Sequence, residues 1–206
     1  FFVQKQDGTF FELELSNESP YDDMGCLLFD IDNDGDLDLY VVSGGTRYES
    51  GSSYYQDRIY LNDGKGGFQF MSGLLPEMNF SGSVVSAADF DGDGLLDLFV
   101  GGRVVPGNYP TSPRSAILRN VGGRFEDVTE LVCKPCANVG MVSAGLWTDF
   151  DGDGIVDLML AGEWMPLKFL KQESRKGQVV FEDVSNGYGP NNSEGWWNSI
   201  YAADID

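Results

Sequence analysis

Three stretches of the chain set aspartates at alternating positions: FDIDNDGDLDLYVV from Phe29 to Val42, DFDGDGLLDLFVGG from Asp89 to Gly102, and DFDGDGIVDLMLAG from Asp149 to Gly162. All three contain D-x-D-x-D-G-x-x-D, with carboxylates at loop positions 1, 3, 5 and 9 and a backbone carbonyl available at position 7. Alternating residues of a tight loop can converge on one centre, and a ligand set made only of oxygens selects a hard cation such as Ca²⁺. The first loop would use Asp30, Asp32, Asp34, the carbonyl of Asp36, and Asp38. The second would use Asp89, Asp91, Asp93, the carbonyl of Leu95, and Asp97, and the third Asp149, Asp151, Asp153, the carbonyl of Ile155, and Asp157. Gly35, Gly94 and Gly154 fill the sixth position, where the chain must turn sharply and a positive φ is expected.

Solvated acidic turns are the plain alternative. Four carboxylates within nine residues repel one another strongly without a cation, and three such loops in register are improbable by chance. An EF-hand would need a bidentate Glu at position 12 and flanking helices. Position 12 here is Val41, Val100 or Leu160, each inside an apolar run of strand character. Each loop therefore reads as the connection of a β-hairpin.

The loops belong to a longer repeat. Their first aspartates lie 59 and 60 residues apart, and Asp204-Ile205-Asp206 opens a fourth copy 55 residues on. After each loop come a strand-like run and a second run ending in a turn, DRIYLNDGKGG, SAILRNVGGR or LKFLKQESRKG, then FQFMS, FEDVT or VFEDVS. Each unit holds four short β runs separated by Gly/Asn/Asp turns. Residues 1–15, FFVQKQDGTFFELEL, match only the last two runs of a unit. Four antiparallel strands at a period near 60 predict an all-β chain of β-propeller blades, about 3.5 of them, in preference to a sandwich or a solenoid. The expected division is an outer half blade at 1–15, blades at 20–78, 79–138 and 139–190 carrying loops 30–38, 89–97 and 149–157, and the first strand of a further blade at 191–206.

Composition narrows the function. The 33 acidic against 13 basic side chains give a net charge of -20, which argues against a nucleic-acid partner because phosphate binding needs clustered Lys and Arg. The absence of histidine removes Ser-His and Cys-His nucleophilic pairs and imidazole metal sites. No run approaches the roughly 18 apolar residues that span a bilayer, so no membrane insertion is expected. Cys133 and Cys136 stand two apart as C-K-P-C without helical periodicity around them, which favours a small structural disulfide or two inert thiols over redox catalysis.

The aspartate loops resemble the FG-GAP repeats of integrin α-chain propellers, and more closely their bacterial VCBS-type relatives. Arg114-Ser115 with LRN at 118–120, FEDVT at 125–129, GEWMP at 162–166 and GWWNSIYAADID at 195–206 further resemble the ASPIC/UnbV and cartilage-acidic-protein-like subgroup. The resemblance implies propellers of typically seven blades, calcium in the hairpin between the first two strands of a blade, and a secreted, periplasmic or cell-surface setting.

Other chemistry is weaker. Trp164, Trp196, Trp197 and Tyr201 with Glu163 and Glu194 could make a carbohydrate platform with an acid pair, though aromatics recurring in blades more often pack sheets together. Arg47, Tyr48, Tyr54 and Tyr55, and in the next unit Arg103, Tyr109 and Arg114, lie in long connections where a ligand-facing rim would form. Asn17, Asn79 and Asn191 stand in N-x-S sequons. The expected function is a non-enzymatic, calcium-stabilised propeller segment serving adhesion, recognition of a protein or glycan, or assembly. Three ions would bring the charge from -20 to -14. The alternative is a calcium-stabilised scaffold of a polysaccharide-active enzyme. Open blade edges are expected to drive self-association.

Overall fold

In the run 38–43, Leu39 and Val41 share one face and Tyr40 and Val42 the other, the period of a strand, and both faces are buried. Run 97–100 repeats this, and run 157–160 does so except at the half-buried Met159, so the segment after each aspartate loop packs against other sheets. The computed structural model, which describes residues 2–5, 7–13, 15, 20–188 and 193–203, has that arrangement.

A hairpin of β1 (Phe2–Gln4) and β2 (Phe10–Glu12) comes first. Three four-stranded antiparallel meanders follow. The first contains β3 (Asp23–Phe29), β4 (Asp38–Ser43), β5 (Arg58–Asn62) and β6 (Phe68–Phe70). The second contains β7 (Ser81–Ala88), β8 (Asp97–Val104), β9 (Ala116–Asn120) and β10 (Phe125–Asp127). The third contains β11 (Met141–Thr148), β12 (Asp157–Met165), β13 (Lys168–Arg175) and β14 (Gln178–Asp183), and β15 (Gly195–Trp196) adds to β12. These are propeller-like blades in an all-β chain.

The sheets are neighbours through their first strands, β3 beside β7 and β7 beside β11. Side chains of alternate parity fill the two gaps between sheets. Tyr40, Val42 and Ile59 of the first sheet meet Leu98, Val100 and Leu118 of the second. Phe99 and Ile117, on the opposite face of the second sheet, meet Val142, Leu158 and Leu160 of the third. The remaining face of the first sheet, Leu39, Val41 and Tyr60, is covered by Leu15, Phe68 and Phe70. Backbones approach closely where β4 ends: Gly44 bridges Gly82 in parallel, and a Cβ on Gly44 would sit 2.2 Å from the Gly82 carbonyl oxygen. Only glycine fits there.

The C-terminal part repeats one inter-sheet contact. Ser83 Oγ donates to the Val142 carbonyl (2.6 Å), and Ser143 Oγ donates to the Trp197 carbonyl in the same way. Trp197 N–H also donates to the Gly162 carbonyl (3.1 Å). Residues 195–197 thus take the place against the third sheet that the start of β11 takes against the second. Residues 198–203 join no ladder, and Asp204 and Asp206, like Asn17 and Asn191, lie outside the described residues. Cys133 and Cys136 form a disulfide buried in the core between the second and third sheets, while Cys26 is an exposed thiol on β3.

Candidate metal centres

Each aspartate loop joins the first two strands of a sheet, and the strand register pairs the residue before position 1 with position 9: Phe29 with Asp38, Ala88 with Asp97, Thr148 with Asp157. The ninth carboxylate is therefore drawn into the sheet, where Asp38, Asp97 and Asp157 are almost wholly buried. Both its oxygens are used. Oδ1 accepts the N–H of Asn62, Asn120 or Gln172, each at 2.8 Å, and Oδ2 accepts that of Ile31 (3.0 Å), Phe90 (3.2 Å) or Phe150 (3.4 Å).

Position 1 organises the rest of the turn. Asp30 accepts the N–H groups of Asp34 (3.2 Å) and Gly35 (3.0 Å). Asp89 accepts those of Gly92, Asp93 and Gly94 at 2.8, 3.1 and 2.9 Å, and Asp149 repeats the set with Gly152, Asp153 and Gly154 at 2.7, 3.1 and 2.8 Å. The sixth glycine has φ of 94°, 89° and 84° in the three loops, as its place in the turn requires.

Carboxylate oxygens of positions 1, 3 and 9 converge: Asp30 with Asp32 and Asp38, Asp89 with Asp91 and Asp97, Asp149 with Asp151 and Asp157, each set within 4.8 Å. A Ca²⁺ ion bonded to oxygen at about 2.3–2.6 Å holds ligands no farther apart than about 5 Å, so the three sets fit that ion. Asp34, Asp93 and Asp153 stand outside these sets. Their Oδ1 atoms accept the N–H of residue 7, namely Asp36, Leu95 or Ile155, at 2.9, 2.8 and 2.9 Å. Position 5 thus closes the turn, and position 7 takes part here through its N–H.

The gathered charge has an electrostatic cost. Burial, reinforced by the neighbouring loop aspartates, raises Asp38 and Asp157 above the usual carboxylate range and pushes Asp97 up to about 7. Asp91 is raised by burial and by Asp93. In the third loop Lys171 pairs with Asp151 and, at 3.0 Å, with Asp153, and the latter carboxyl is held low by that bond.

Two residues outside the loops tie successive loops together. Asn120 donates its amide to the Ile31 carbonyl (2.7 Å), and Gln172 donates to the Phe90 carbonyl (2.9 Å), so the third strands of the second and third sheets cap position 2 of the preceding loop. Asn33 Nδ2 adds a bond to the Gly94 carbonyl (3.2 Å). An amide residue recurs at the point of the third strand that donates its N–H to the ninth carboxylate, as Asn62, Asn120 and Gln172, and that recurrence is the signal that could have marked it.

The other candidates separate differently. Glu163 is buried in an ion pair with Arg103, and Arg114 pairs with Asp127 at 2.6 Å, so these rim arginines are engaged within the fold. Tyr48 packs against Tyr54 with the rings tilted and their centroids 4.5 Å apart, and its hydroxyl donates to the Pro20 carbonyl, while Tyr55 is wholly buried. Trp164 and Trp196 do not pack between sheets as expected of recurring aromatics. They lie against each other, 63% and 57% exposed, because β15 pairs only with the end of β12 and no described sheet covers them.

Residues 30–100, from the first aspartate loop into the second sheet, match the family model of the FG-GAP-like repeat. The finer likeness to ASPIC/UnbV chains is not carried by that match. A comparison with curated proteins returns no match.

Proposed function

We propose that this chain, an FG-GAP repeat protein, is a calcium-stabilised propeller segment of a secreted, periplasmic or cell-surface protein, with a recognition or assembly role and no catalysis of its own. The observation that carries the reading is the convergence of three carboxylates at the same place in three successive hairpins. Asp30, Asp32 and Asp38 would hold one ion, Asp89, Asp91 and Asp97 a second, and Asp149, Asp151 and Asp157 a third. Position 5 and the carbonyl of position 7 complete each set if the turn opens toward the ion. The ion's part is electrostatic: it neutralises carboxylates that burial and mutual repulsion disfavour.

The buried disulfide supports an oxidising compartment. Self-association through exposed edges completes the proposal, supported by the solvent-facing Phe2 and Phe10 of the isolated β1–β2 hairpin. The test is titration calorimetry with calcium chloride on chelator-stripped protein, paired with thermal melts. A site filled to 100 times its Kd adds about 2.7 kcal/mol, so calcium should raise the melting temperature by several degrees. A melt indifferent to calcium and chelator would sink the reading.

A further inference from the structure

The three loops differ in one neighbour. Because Asn62, Asn120 and Gln172 each donate a backbone N–H to the ninth carboxylate at 2.8 Å, the residues just before them, Leu61, Arg119 and Lys171, are structural equivalents beside the three loops. Leu61 is apolar and packs against the core between the first two sheets. Arg119 is held by Glu126, its register partner across β9 and β10, at 3.0 Å. Lys171 faces Glu182 in the register of β13 and β14, but Glu182 is paired with Arg175. Lys171 turns to the loop instead and bonds Asp151 and Asp153.

We infer that Lys171 is a built-in cation of the third loop, competing with calcium there, so that the three loops fill unequally and the third last. This rests on the calcium reading above. An ion entering the third loop must displace the ammonium from Asp151 or bind beside a positive charge, whereas among the described residues no ion pair reaches the first loop, and at the second Arg119 acts on Asp91 only through space while its guanidinium bonds Glu126. The Arg175–Glu182 pair sets the difference: while it holds, Glu182 is not available to draw Lys171 away.

Calorimetry with calcium chloride on the full chain tests this, using wild type, Lys171→Gln, and Arg175→Gln. Arg175 is largely exposed, so its replacement leaves the core intact and releases Glu182 to Lys171. Wild type should fill two loops, with the third weaker by at least about tenfold, a factor equivalent to about 1.4 kcal/mol. Lys171→Gln should abolish that gap, and Arg175→Gln should narrow it. Three equal sites in wild type, or a weak third site unmoved in both variants, would overturn the inference while leaving calcium binding in place. No calcium at any loop would overturn the calcium reading and this inference with it.

Discussion

Asp57 offers a test of the fold's electrostatics at a place no metal reaches. It precedes β5 and is almost wholly buried, with Oδ2 accepting the Tyr40 hydroxyl (2.6 Å) and Oδ1 accepting the Ser43 N–H (2.8 Å). Burial pushes its pKa up to about 7, against the lowering effect of both bonds and of Arg58. A carboxyl raised in the folded state takes up a proton on folding, so stability falls as pH rises from about 4 to about 7 and is flat on either side. At about 1.4 kcal/mol per pH unit, the segment from pH 5 to pH 7 amounts to about 3 kcal/mol. Asp57→Asn removes that dependence. Its amide oxygen can still accept from Ser43, and its NH₂ can donate to the Tyr40 oxygen, at an expense of about 1 kcal/mol for the reversed bond. Urea unfolding of both proteins at pH 5, 6, 7 and 8, in one calcium buffer so that the loops contribute alike, should show the variant gaining about 3 kcal/mol on wild type between pH 5 and pH 8. A difference constant across that range would refute the argument.

Asn120→Ala should destabilise by about 2–4 kcal/mol, because it strips the Ile31 and Leu96 carbonyls of a buried donor and the Gly123 N–H of its acceptor; a loss below about 0.5 kcal/mol in urea melts would remove the inter-blade cap from the account. Light scattering at tens of micromolar should give a mass above that of one chain, and a stable monomer would contradict pairing through open edges.

The loops were legible because their chemistry is local: four carboxylates and a glycine at fixed offsets define a turn wherever they occur. The blades followed from the 60-residue period and from Val41, Val100 and Leu160, whose apolar neighbours gave strands where an EF-hand would need a helix. What remained hidden depends on register. Asn120 at a strand end reads as a turn residue, and only the packing of adjacent sheets brings its amide to Ile31. Lys171 reads as the solvated member of an alternating strand, and its turn toward Asp151 depends on which arginine reaches Glu182. Trp164 and Trp196 look like packing residues by type alone; their exposure is set by what lies beyond β12.

The bonds within each loop also determine what calcium has left to do. Both oxygens of Asp38, Asp97 and Asp157 already accept backbone N–H groups, and position 5 already bonds position 7, so the backbone of each turn is held by these bonds without an ion. What is left unbalanced is charge, concentrated where burial is greatest, as the raised Asp97 records. A cation therefore relieves repulsion in a turn that is already formed. Chelation should accordingly lower the melting temperature while sparing the far-ultraviolet strand signal at 25 °C. The third loop, with Lys171 in place, should contribute least to the change.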